Sequence, residues 1–207
     1  MSDQRADLEQ AVRSAWDAKD YDSAATLAIE TYADEILSFL SARLRSGTDA
    51  QEAFSMFAED LWAGLPRFAW RCSMRTWAYT LARNAASRYA TSPHQRAARN
   101  VALSKVERLS ALVERVRTAT HVHQRTEVKD RFRALRERLE PDDQMLLILR
   151  VDRDLPWRDI ALTMAGDGDL DDDAVLRDSV RLRKAFERIK AELKRMAQEE
   201  GLLAPRS

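Results

Sequence analysis

The sequence predicts an all-α protein of two small helical domains joined by a linker, the second a helix-turn-helix bundle. Three observations carry this. Only 5 Gly and 5 Pro punctuate 207 residues, and the helix formers Ala, Leu, Arg and Glu dominate between them. Apolar residues recur at the i, i+3, i+4, i+7 spacing of a helix with one buried face, and no believable strand is found. The periodicity breaks at Ser92 and Pro93 and again over THVHQRTEV, so domains are expected at 1–91 and 128–207 with a partly helical linker at 92–127.

The elements follow in order. Asp7 to Lys19 reads as a short helix with Leu8, Val12 and Trp16 along one side. In the second helix, apolar positions 25, 28, 29, 32, 36, 40 and 44 hold the period, with Asp22 as expected N-cap and Gly47 as left-handed stop. Thr48 and Gln51 make a capping-box pattern for a third helix that buries Ala53, Phe54, Phe57, Leu61 and Leu65 and ends at Pro66. The loop RFAWRCS carries Phe68 and Trp70 into a fourth helix, apolar at 74, 77, 78, 81, 82, 85 and 89. In the linker, Val101, Val106, Leu109, Leu112, Val113 and Val116 permit further helical turns. Phe132, Leu135 and Leu139 face inward on the next helix, and Pro141 stands at the first position of the apolar run DDQMLLILRV. Trp157, Ile160, Ala161 and Met164 share a face that stops at Gly166. Asp173 is the expected cap of a final helix to about Glu200, buried along Leu182, Phe186, Ile189, Leu193 and Met196.

The zero formal net charge conceals a strong pattern. Residues 71–99 hold Arg71, Arg75, Arg83, Arg88, Arg96 and Arg99 with no acidic residue, whereas residues 1–70 are acidic overall. Arg75, Tyr79 and Arg83 stand four residues apart beside Trp77, so cations and π-faces are expected to alternate along the open side of the fourth helix. That combination suits a single-stranded nucleic acid, whose phosphates need guanidinium charge and whose bases need flat rings. A second basic side, Arg177, Arg181, Lys184 and Arg188, lies on the final helix just after five Asp between 167 and 173. A short helix, a turn and a basic helix form the order in which the second helix enters the major groove.

Other classes are poorly supported. A lone Cys72 rules out an intramolecular disulfide and a cysteine zinc cluster, and fits a reducing cytoplasm. The polar start MSDQRADLEQ is no signal peptide, and no apolar run approaches the ~20 residues of a membrane span, so no membrane contact is expected. His121 and His123 lack a third ligand, and the Asp167, Asp169, Asp171, Asp178 spacing of a calcium loop has Asp172 where glycine is required. No metal, cofactor or enzymatic activity is expected.

These residues resemble the small, two-domain extracytoplasmic-function type of bacterial RNA polymerase sigma factor, in the sigma-70 family. The family's first-domain pattern is similar to DAQEAFSMFAEDLWAGLPRFAWRCSMRTWAYTLARNAASRY, matching at Asp49, Ala50, Arg67, Phe68, Ser73, Arg75, Trp77, Tyr79, Ala82, Arg83 and Asn84. In the second domain, LPWRDIA (Leu155 to Ala161) and VRLRKAFERIK (Val180 to Lys190) resemble the helix-turn-helix segments. The resemblance implies that the helix from Asp49 binds the clamp helices of the largest subunit of core RNA polymerase. It implies that Phe68 to Tyr89 opens promoter DNA and holds the non-template strand, and that the final helices read an upstream element as duplex. The family's Gln-Glu pair falls on Ser55 and Met56, so Asp49, Glu52, Glu59 and Asp60 are the expected polymerase contacts. Expected DNA contacts are Phe68, Trp70, Arg71, Arg75, Tyr79, Arg83, Asn84 and Arg88, then Arg177, Arg181, Lys184 and Arg188. An anti-sigma protein is a further partner the resemblance admits.

The rival reading is a sigma-like interaction protein that holds polymerase or a regulator without reading DNA, which the zero net charge and acidic turn favour. The turn at 167–173 is longer than usual for the family. Its five Asp are expected to repel phosphates near Arg177, Arg181 and Lys184 within a Debye length of about 8 Å.

Overall fold

The computed structural model describes residues 2–91, 111–115, 134–166 and 171–203, which are helical or connecting, with no strand among them. The chain divides into two units, Met1–His121 and Val122–Ser207. The linker expected at 92–127 falls mostly outside the described residues. Residues 111–115 are helical there and belong to the first unit: Leu112 and Val113 are buried, and Arg115 donates to Glu30 at 3.0 Å.

The first unit is built from α1 (Ser2–Asp17), α2 (Tyr21–Leu44), α3 (Gly47–Gly64), a 3-10 turn (Leu65–Arg67) and α4 (Met74–Thr91). Helix α2 packs against α1, α3 and α4, and α3 packs against α4. Its small residues Ala24, Ala25, Ala28 and Ala33 are buried beside Ile29, Ile36, Phe39 and Leu40. The expected apolar side of α3 is buried throughout. On α1, Val12 is buried, whereas Leu8 is 36% exposed and does not join the core.

Three expected helix boundaries are corrected. Helix α2 is capped by Asp20, not Asp22: the Asp20 carboxylate accepts from Ser23 N at 3.1 Å. Its C-terminal residue in the left-handed region is Arg45 (φ 58), not Gly47, which instead begins α3. Helix α3 is capped by Ser46, whose Oγ accepts from Asp49 N at 3.2 Å, not by Thr48.

The second unit comprises α5 (Pro141–Leu147), continued by a π-turn (Ile148–Asp152), then α6 (Trp157–Ala165) and α7 (Asp172–Glu199). Pro141 opens α5 at a position where its missing N–H costs nothing. Met145, Leu146, Leu147, Ile148 and Leu149 are buried with Leu135 and Leu139, and Phe132 lies outside the described residues. Buried Gln144 donates to Leu139 O at 2.6 Å and so ties the start of α5 to the preceding segment. Helix α7 packs on α5 and α6. It is capped by Asp171, which accepts from Ala174 N at 2.6 Å, and not by Asp173. Of the acidic turn, residues 167–170 lie outside the described residues.

Candidate nucleic-acid interface

The loop between α3 and α4 is an aromatic shelf. Phe68 stacks on Trp77 with centroids 4.5 Å apart and planes at 17°, and Trp70 lies 4.9 Å from Phe68 and 6.1 Å from Trp16. The Arg13 guanidinium sits 4.7 Å from the Trp70 ring centre, and Trp16 Nε1 donates to Leu65 O at 2.8 Å. Gly64 makes room for the stack, since a Cβ there would stand 3.1 Å from the Trp77 ring. Trp70 is held against local preference. Its φ of 55 is left-handed, and its buried Nε1–H has no acceptor among the described residues. Each feature costs about 1–3 kcal/mol, sustained by the surrounding rings.

Helix α4 is fixed at its start by two groups: Ser73 Oγ accepts from Thr76 N at 3.1 Å, and Glu9 of α1 accepts from Met74 N at 2.6 Å. Further along, the arginines expected to face a ligand divide. Arg75 is tied to Glu35 of α2 by a fork of two hydrogen bonds, 2.8 and 2.9 Å, with its side chain only 12% exposed. Burial opposes the charge on Arg75, but the hydrogen bond and charge of Glu35 outweigh it, and the guanidinium pKa rises above its ordinary value. Arg88 pairs with Asp60 of α3. Arg71 is exposed and Arg83 half-exposed, and no carboxylate among the described residues pairs with Arg83. Asn84 is half-exposed, and Arg96 and Arg99 lie outside the described residues.

Tyr79 requires a correction. Expected off the apolar arc and open for stacking, it is fully buried and meets Phe39 edge-on at 5.3 Å, with Arg75 over its ring at 5.5 Å. Helix α4 is covered by both α2 and α3, so its buried arc also takes in Thr76, Thr80 and Ala86, while Trp77 and Leu81 are only half-buried. Phe68 is also buried and presents no open face.

The acids expected to meet polymerase are engaged within the unit. Asp49 accepts from the Tyr89 hydroxyl at 2.6 Å, and Asp60 pairs with Arg88, so both bind α3 to α4. Glu52 and Glu59 are half-exposed. Ser55 and Met56 are buried, Ser55 donating to Gln51 O at 3.2 Å.

In the second unit, α6 ends at Gly166 (φ 70). Ser179 of α7 donates within its helix to Val175 O at 2.8 Å and lies 3.3 Å from Trp157 O of α6. Arg188, though exposed, donates twice to Asp143 of α5 at 2.8 Å and so is a paired cation. Arg181 pairs with Asp178 at 3.1 Å, and Arg158 pairs with Asp172 at 2.8 Å. Arg177 and Lys184 are exposed, with no carboxylate partner among the described residues.

Compared with known protein families, residues 28–97 match Sigma-70 region 2. Those residues are similar to a sigma-70 region 2. No curated protein and no solved structure matches the chain. The region 2 span covers roughly a third of the sequence and takes in most of α2, all of α3, the aromatic loop and α4. In sigma factors this region binds core RNA polymerase and recognises and melts the −10 promoter element, with no enzymatic step of its own. Helix α1 precedes the matched span, yet supplies Glu9, Arg13 and Trp16 to the start of α4 and the loop. No group of three or more His, Cys, Asp or Glu among the described residues is arranged to hold a metal. No described helix is long and apolar enough to cross a membrane.

Proposed function

We propose that the chain is a sigma factor of the extracytoplasmic-function type, which binds core RNA polymerase, directs it to promoters and opens the DNA there. The observation that carries the reading is the region 2 match, because it runs through the aromatic loop and α4. The outward side of α3 meets the clamp helices of the largest subunit through Glu52 and Glu59. Asp49 and Asp60 act by holding α4 in place beneath that surface.

Opened single strand meets the half-buried Trp70 and the exposed Arg71, and Arg83 and Asn84 of α4 supply further polar contacts to it. Phe68 and Trp77 support the Trp70 ring, Tyr79 supports α4 from the core, and Arg75 and Arg88 set the position of α4. In the second unit, α6 and α7 act as a helix-turn-helix whose α7 lies in the major groove, with Arg177 and Lys184 on phosphates. The polymerase supplies the chemistry, and the chain works with it in the cytoplasm.

Run-off transcription with core polymerase over fragmented genomic DNA tests the reading. Discrete transcripts that require the chain are expected. Retention of polymerase without any transcript would instead make it an interaction protein that reads no DNA.

A further inference from the structure

We propose that Leu176 and Val180, on the outward face of α7, read the C5-methyl groups of thymines in the duplex. The inference rests on α7 being the duplex-reading helix and adds the class of base edge that sets its specificity. Both side chains are large, apolar and open, 65% and 45% exposed. Neither belongs to the core, which α7 meets through Val175, Ser179, Leu182 and Ile189. At about 100° per residue, Val180 and Lys184 project away from that stripe, with Leu176 and Arg177 to either side. Leu176 and Val180 are one turn apart, ~6 Å along the helix axis. That is close to two base-pair steps of ~3.4 Å.

The charges around the pair identify the occupant. Arg177, Arg181 and Lys184 interleave with Leu176 and Val180 over the same turns. Arg177 and Lys184 have no carboxylate partner among the described residues. An apolar pair set among cations fits a surface whose rim is anionic and whose floor carries an apolar group. The major groove is such a surface: phosphates line it, and the thymine methyl is the apolar group its base edges present there. Asp173 shares this face at the helix start, so phosphate contact begins from Arg177 onward. Cations on phosphates fix register without reading sequence, and the two apolar side chains supply discrimination that they lack.

The test uses holoenzyme assembled from the full chain and core polymerase. Duplexes are selected from a randomised library, then rebuilt with deoxyuridine for individual thymines, which removes the methyl and nothing else. The expected result is a loss of about fourfold at one or two positions, the equivalent of ~0.8 kcal/mol per methyl. The same loss should vanish in Leu176→Ala or Val180→Ala holoenzyme. Selection of defined duplexes with no uracil effect at any thymine overturns the methyl reading while leaving duplex recognition intact. No enriched sequence at all overturns both. The uracil comparison leaves the protein unchanged, so it decides the matter even if a variant folds poorly.

Discussion

Replacing Arg75 with Ala should be a stability mutation before it is a DNA-binding mutation. The guanidinium forks onto Glu35 at 2.8 and 2.9 Å, and the two side chains keep only 12% and 20% of their exposure. Removing one partner of a buried pair costs roughly 3–5 kcal/mol, because the other charge is left desolvated and unpaired. The residual exposure of Glu35 lets water reach it, which lowers the expectation to about 2–3 kcal/mol. Arg75→Lys should recover only part of the loss, since an ammonium cannot reproduce the fork. The double variant Arg75→Met with Glu35→Leu, which leaves no buried charge, should approach wild-type stability. Denaturant unfolding followed by tryptophan fluorescence is suited to the measurement, because Trp16, Trp62, Trp70 and Trp77 all lie in the first unit. The effect should not vary across the neutral pH range. A raised arginine pKa gives stability that is fully present below the unfolded-state value and is lost only as pH climbs through the folded value, and both are strongly alkaline. An unchanged unfolding midpoint, together with a shallower salt dependence of promoter binding, would refute the argument and make Arg75 a phosphate contact.

Three further outcomes are expected. Tyr79→Ala should destabilise the first unit by about 3–5 kcal/mol through the cavity left against Phe39, so a permanganate opening assay on it would report folding and not stacking. Asp171→Ala should cost about 1 kcal/mol as loss of a cap, whereas Asp173→Ala, which removes no cap, should leave the thermal midpoint almost unchanged; reversal of that order would contradict the cap assignment. In holoenzyme binding to duplex, Arg177→Ala and Lys184→Ala should each reduce the salt slope by about 1, while Arg188→Ala should leave the slope alone and lower stability by releasing Asp143.

Helix identity was legible because the 3.6-residue period of apolar residues is a direct imprint of one-sided burial, as in α2 and α3. The caps were less so, and they erred consistently: Asp20, Ser46 and Asp171 each stand two residues before the expected Asp22, Thr48 and Asp173. Each of these starts offers several short polar residues, and side-chain chemistry does not distinguish among them. The cap is the one whose backbone has not yet become helical, as in Ser46 (φ −139, ψ 126) and Asp171 (φ −69, ψ 164). The displaced Asp22 and Asp173 instead occupy first turns, where their charge still meets the helix dipole favourably.

The site was harder to read because electrostatic partners are chosen in space. The run from Arg71 to Arg99 has no acidic residue in sequence, yet Arg75 finds Glu35 forty residues away and Arg88 finds Asp60 twenty-eight away. Arg188 likewise finds Asp143 forty-five residues back. A local count of charge therefore overstates the field that α4 presents: two of its arginines are spent on orientation, and the first half of the unit supplies the neutralising acids. The same logic moves Tyr79 inward, since a helix covered by two neighbours buries a wider arc than one apolar stripe predicts. A strand held at this unit would then depend less on a continuous cationic rail than on Trp70, strained and ringed by other aromatics, with Arg71 next to it in sequence. Weak salt dependence of opening, combined with a large loss in Trp70→Ala, is the behaviour such an arrangement requires.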